Sequence, residues 1–239
     1  KGLVMPTLLV KNARVLVTMD DQRREIENGA FYARDGVIEA VGTLDAMPAQ
    51  TADEVFDLRG HVVIPGLVNT HHHMFQNLTR VFAQDKELFG WLTELYPVWR
   101  GCTGEMIHIS AQVAMAELIL SGCTTSSDHL YLYVNDIRID DEIRAAQELG
   151  FRFHPTRGSM SVGQSKGGLP PDSVVEDEAR ILKETQRAIE TFHDNRRYSM
   201  LRMGIAPAAP FNVSQDLMRE SAKIARSYAV VRLHTHLAE

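Results

Sequence analysis

The sequence is poor in the features that mark several protein classes. It carries no surplus of positive charge. Its 25 Lys and Arg stand against 31 Asp and Glu, for a net charge of -6 and a pI of about 5.9. Nucleic-acid binders show a basic surplus or stripe, so no nucleic-acid partner is expected. Only two cysteines occur, Cys102 and Cys123. Two isolated cysteines make neither a disulfide framework nor a zinc knuckle, and they fit a reducing cytoplasm. No run approaches the roughly 18 uninterrupted apolar residues of a membrane helix. Lys1-Gly2-Leu3-Val4-Met5-Pro6 lacks the apolar core of a signal peptide. The expectation is a cytoplasmic protein with no membrane partner. No G-x-G-x-x-G follows the first buried-type strand, which leaves a dinucleotide fold unsupported. There is no short internal repeat and no low-complexity segment.

What remains is ordinary globular material, 44% hydrophobic and 23% charged over 239 residues. That is enough for one large core or two smaller ones. Residues 7–63 read as short strands and tight turns. Arg34-Asp35-Gly36 forms a hairpin turn between two apolar runs, because glycine tolerates positive φ. We expect residues 1–62 to be part of a small antiparallel, β-sandwich-like domain. The pattern changes after His61. Val62 to Val68 is a mostly apolar run, as in a strand buried on both faces. A loop-rich insertion with Trp91, Tyr96 and Trp99 follows. Then come helices over 109–121, 140–149, 173–192 and 214–228. They alternate with strands near 124–128, 151–156, 200–206 and 229–234. Repeated βα units imply α/β architecture with a parallel sheet, either open and doubly wound or closed as a (β/α)₈ TIM-type barrel. Residues 63–239 hold about five such units.

The histidines carry the chemical argument. Asn69-Thr70-His71-His72-His73 ends the first strand, and side chains two apart on an extended segment point the same way. His71 and His73 therefore face one side together. The fifth strand ends in His234-Thr235-His236-Leu237-Ala238-Glu239. In a closed barrel a histidine there lies across from the first strand and can complete a three-imidazole site for a divalent ion such as zinc. Periodicity alone does not choose between His234 and His236, which face the same way.

Pro65-Gly66-Leu67-Val68-Asn69-Thr70-His71-His72-His73 resembles the P-G-[LF]-[IV]-[DN]-x-H-x-H signature of the amidohydrolase superfamily. His236-Leu237-Ala238-Glu239 resembles the H-x-x-E of its aminohydrolase (deaminase) branch. The resemblance implies a TIM-type barrel with a small N-terminal β-domain. It also implies His71, His73 and His236 as metal ligands, and Glu239 as the group that shuttles a proton from water to the substrate ring. Segments such as His73-Met74-Phe75-Gln76-Asn77 and Ser127-Asp128-His129-Leu130-Tyr131 resemble the 8-oxoguanine deaminases of that branch.

The resemblance therefore favours hydrolytic deamination of a purine-like ring, 8-oxoguanine above all, by an enzyme holding one divalent ion. Zinc is expected, with iron or manganese as alternatives. Guanine, triazine or isocytosine deamination, or a non-catalytic barrel subunit, are the competing readings. Gln76 stands where guanine deaminases read the base, and the competing role is a loop-packing amide. Arg157 is a candidate to hold a ring carbonyl, against a structural ion pair. Relatives place cysteine or histidine in the loop after the fourth strand, where this chain has Ala208. The family's later histidine and aspartate would lie beyond Glu239, so about three further βα units are expected in a longer chain. A homo-oligomer is expected.

Overall fold

The structure, a computed structural model, describes residues 6–237. The chain divides into two compact units, Lys1–Gly66 and Leu67–Glu239.

The first unit is one mixed sheet rather than a purely antiparallel one. Its central strand β1 (Thr7–Val17) pairs antiparallel with β2 (Glu25–Arg34), which pairs antiparallel with β3 (Val37–Thr43). On its other edge β1 pairs in parallel with β4 (Glu54–Asp57) and β5 (Val62–Val63). The β2–β3 turn is as expected, with Asp35 at φ 58° and Gly36 at φ 70°. Two successive positive φ values make the tight turn whose twist matches a hairpin. β1 is one continuous strand of 11 residues. It passes Asn12 at φ 59°, where its pairing with β2 slips between Val10 and Ala13.

The expected single strand over residues 62–68 is two strands. Val62–Val63 belongs to the first sheet, whereas β6 (Leu67–Asn69) starts the second. Pro65 lies between them, and a proline cannot donate to a ladder. Val62 and Val68 are both exposed, so this run is not buried on both faces.

The second unit holds a five-stranded parallel sheet in the order β10-β9-β8-β7-β6. Its further strands are β7 (Cys123–Leu130), β8 (Arg152–Ser159), β9 (Gly204–Pro207) and β10 (Arg232–Leu233). Spatial order follows chain order without reversal. A doubly wound sheet reverses direction at its switch point, so this winding is that of a TIM-type barrel. The helices between strands are α1 (Leu88–Trp99), α2 (Gly104–Leu120), α3 (Ile139–Leu149), α4 (Glu178–Phe192) and α5 (Gln215–Ser227). Asp177 and Ser214 cap α4 and α5, accepting from the N–H groups of Arg180 and Leu217 at 3.0 Å each. Arg138 is the N-cap of α3, and Asp141 accepts from the Arg138 N–H at 2.9 Å. α4 starts at Glu178, five residues later than the pattern suggested, because residues 172–174 form a separate short turn.

The insertion read as loop-rich contains α1. Phe89, Leu92, Tyr96 and Trp99 recur at helical spacing, and the last three are buried. Pro97 in the final turn disguises the pattern. Burial of Phe75 and Leu92 beside Trp99 contributes roughly 1.5–3 kcal/mol per side chain. Among the described residues no helix is long and apolar enough to cross a membrane.

Candidate metal centre

The peptide beyond β6 runs alongside the end of β7, where the His129 N–H donates to the His72 carbonyl at 2.9 Å. This holds residues 71–73 extended and makes their side chains alternate. His71 and His73 turn one way. His72 turns the other, bringing its Nδ1 within 3.9 Å of Asp128. Gly158 on β8 lets the two strands approach. A Cβ there would meet the Leu130 carbonyl and lie 2.7 Å from His129 Cδ2.

Three imidazoles converge. The Nε2 of His73 lies 3.2 Å from that of His71 and 3.2 Å from that of His236. One ligand atom from each lies within 4.8 Å of the others. Main-chain carbonyls fix two of the rings: His73 Nδ1 donates to the His129 carbonyl at 2.8 Å, and His236 Nδ1 to that of Ala208 at 2.9 Å. With Nδ1 protonated, both Nε2 lone pairs face each other. Burial drives His73 down to about 3, with the neighbouring histidines adding to the effect, so its ring is neutral at physiological pH. Lone pairs crowded at this distance suit a shared cation, and neutral imidazole is a common zinc ligand.

His234, left open by periodicity, is not in this set. Its Nε2 lies 3.4 Å from Thr156 Oγ1. The three histidines open onto a cavity of about 260 Å³, also lined by Gln76, Trp91, Tyr96, Tyr131, Ala208 and Asn212. Gln76 sits on the short turn after His73 and donates from Nε2 to Tyr131 Oη at 2.9 Å. Its amide is thus held at the cavity wall by a tyrosine.

Arg157 is not brought to this cavity. It lies on the helix side of β8, 98% buried, and donates from Nη2 to Glu176 Oε1 at 2.8 Å. Its guanidinium lies 3.8 Å from the centroid of the Tyr133 ring. The substrate-binding expectation for Arg157 is therefore corrected to a buried ion pair. The reason is strand parity: Thr156 faces the barrel interior, so its neighbour faces the helices. Glu239, the expected proton shuttle, lies outside the described residues.

Sequence reasoning singled out none of Trp91, Tyr96, Tyr131 or Asn212 as lining residues. The helical spacing of the aromatics in α1 was the available signal for the first two. His129 was missed as well. Burial lowers its pKa, with His73, His234 and His236 adding to the effect, and its Nε2 donates to the Ala206 carbonyl at 2.9 Å.

Residues 62–239 match the pattern of the Amidohydrolase family. The chain belongs to that family. It is 44% identical over 216 residues to 8-oxoguanine deaminase of Pseudomonas aeruginosa, a match covering 88% of this chain and 48% of the relative. It is 35% identical over 251 residues to hydroxydechloroatrazine ethylaminohydrolase of a Pseudomonas species, covering 98% of this chain and 52% of that protein. Among solved structures it resembles atrazine chlorohydrolase of Arthrobacter aurescens TC1, complexed with zinc. The TM-score there is 0.88 at 31% identity, covering 97% of this chain and 53% of that one. The chain spans about half the length of the curated relatives it matches.

Proposed function

We propose that the full-length protein is a metal-dependent hydrolase that replaces an exocyclic amino group on a purine-like ring by oxygen. The favoured substrate is 8-oxoguanine, which with water gives urate and ammonia. The observation that carries this reading is the convergence of three histidine Nε2 atoms at one cavity walled by a held amide and aromatic rings. The 44% identity to an 8-oxoguanine deaminase supports the choice of substrate.

In this reading His71, His73 and His236 hold one divalent ion, with zinc the first choice and iron or manganese the alternatives. Bound there, the ion supplies positive charge that lowers the pKa of water toward about 7. The chain's own residues do the rest. The carbonyls of His129 and Ala208 fix the ligand rings. Trp91, Tyr96 and Tyr131 give the planar ring an apolar slot, and Gln76 offers an amide to the ring's hydrogen-bonding edge. Glu239 takes the proton from water and delivers it to a ring nitrogen before ammonia leaves. A carboxylate does both because it alternates as base and acid. The two free, buried cysteines fit the cytoplasm as the compartment.

A second reading has a specific basis. Hydroxydechloroatrazine ethylaminohydrolase and atrazine chlorohydrolase both act on triazines by name, so a substituted triazine is the alternative ring. The test is release of ammonia from 8-oxoguanine, guanine, isocytosine and an amino-substituted hydroxytriazine, and of ethylamine from an ethylamino-substituted hydroxytriazine, by the full-length, zinc-loaded protein side by side. Preferential release from 8-oxoguanine is expected, and preference for the triazine reverses the substrate assignment. Glu239→Gln should keep the metal and lose turnover. Undiminished turnover in that variant removes Glu239 from its role.

A further inference from the structure

One buried polar pair sits directly behind the histidine segment, on the helix side of β7. Asp128 is 99% buried and accepts the backbone N–H of Met74, the residue after His73, at 2.7 Å. Ser110 on α2 donates to the carbonyl of the same Met74 at 2.6 Å. Together with the His129 contacts to His72 and His73, residues 72–74 are held from both sides. Two of those holds come from the β7 backbone. The hold on the Met74 N–H comes from a side chain.

That side chain has an unusual partner. Glu142 of α3, itself fully buried, is its neighbour, and Asp128 Oδ2 and both Glu142 carboxyl oxygens have no hydrogen-bond donor among the described residues. Neither carboxyl has a lysine or arginine partner among the described residues. The nearest base is His72, whose Nδ1 is 3.9 Å away. Two carboxylates buried together cannot both ionise, so one proton stays between them. Burial raises Glu142 well above its ordinary value and Asp128 to about 7. The Met74 N–H given to Asp128 favours its charged form, whereas Glu142 receives no donor on either oxygen. Glu142 thus keeps the proton. Asp128 is left as an acceptor that can take the Met74 N–H in a charge-assisted bond, about twice as strong as a neutral one.

A pair like this is a poor way to fill a core, since apolar residues of similar volume usually stabilise at least as well. Its placement argues for a different purpose. The backbone group it grips is the one that follows a candidate metal ligand. We infer that the Asp128–Glu142 pair is a positioning device that sets residues 71–73 in register for metal binding. Asp128 makes the contact, and Glu142 keeps the proton and so leaves Asp128 an acceptor. The inference rests on the metal reading given above.

The experiment is zinc affinity of the full-length protein, by competition with a chromophoric chelator, beside thermal unfolding of the metal-free form. Removing an outer-shell hold of this kind typically costs 10–100-fold in metal affinity. Asp128→Ala should weaken zinc binding by a factor in that range, and Asp128→Asn, which keeps a neutral acceptor, should recover much of it. Glu142→Gln, neutral and able to donate to Asp128, should bind zinc like the parent. Glu142→Leu should weaken it. Should Asp128→Ala not fold, the contrast between Glu142→Gln and Glu142→Leu decides the matter alone. Zinc affinity unchanged in Asp128→Ala or Glu142→Leu, with only the metal-free melting temperature lowered, would make the pair purely structural and overturn the inference. Failure of the metal reading looks different: the parent would bind no zinc, or His73→Ala would bind it equally well.

Discussion

Asp128 and His129 are consecutive on β7 and both nearly fully buried, yet they serve opposite sides of one sheet. His129 faces the barrel interior, stacked near His236 with ring centroids 4.9 Å apart. Asp128 faces the helices and meets Glu142. One strand over, Thr156 and Arg157 repeat the division, with Thr156 beside His234 and Arg157 paired with Glu176. The inner face gathers imidazoles around a cavity. The outer face buries ionisable groups beside one another, Asp128 near Glu142 and Arg157 against Glu176. At a strand end in this fold, the chemistry of a residue type says less about its role than its parity does.

The largest expected effect lies on the inner face. His73→Ala in the full-length protein should reduce bound zinc to background and abolish ammonia release, as metal analysis and a turnover assay would reveal. Near-stoichiometric zinc in that variant would erase the distinction between the two faces. On the outer face, Arg157→Ala leaves the buried Glu176 with only Arg180, 3.9 Å away, as a partner. A stability loss of about 3–5 kcal/mol is expected in urea unfolding. The double change Arg157→Met with Glu176→Leu should restore much of it, with KM close to the parent's. A KM raised in the double variant while stability is recovered would return Arg157 to the substrate.

A smaller effect compares the faces by pH. Burial holds His73 at about 3 and His234 at about 4, below their ordinary 6.5. Below pH 6.5 the unfolded chain therefore binds protons that the folded chain refuses. The contribution of these rings to the metal-free protein is full above 6.5, and it falls through the acid range toward 3–4. Asp128 runs the other way. Raised from 3.8 to about 7, its contribution is full below 3.8 and is lost as pH rises through about 7. Urea midpoints of the metal-free protein at several pH values should thus flatten toward acid in His234→Gln and steepen in Asp128→Asn. The smallest effect belongs to the solvent layer. Arg80 and Glu117 pair at 2.6 Å but are both about half exposed, so Arg80→Ala should cost no more than about 1 kcal/mol. A loss of several kcal/mol in the same unfolding assay would contradict that.

Much of this arrangement was legible beforehand. The alternation of His71 and His73 follows from an extended backbone, and the βα alternation from apolar runs between capped helices. The barrel winding was legible only through the family resemblance, because periodicity reports elements and not their spatial order. Arg157 was misread although a signal existed. It shares parity with Phe153, which packs with Ala145 and Ala146 beneath α3, whereas His154 and Thr156 share the other face. The choice between His234 and His236 lay in a resemblance, because two residues of equal parity differ only in how far along the strand they sit. The Asp128–Glu142 contact joins a strand to a helix across intervening sequence, and no local pattern announces it.

The rings of His73 and His236 are aimed by main-chain oxygens of His129 and Ala208. Every residue type carries such an oxygen, so no point substitution at either position deletes the acceptor. The histidine whose loss would empty the centre thus leans on a support that mutation cannot strip directly. The side chain of Ala208 can change without loosening the ring that its carbonyl orients. Variation in this loop is therefore free to reshape what the cavity admits while leaving the aim of the histidines unchanged.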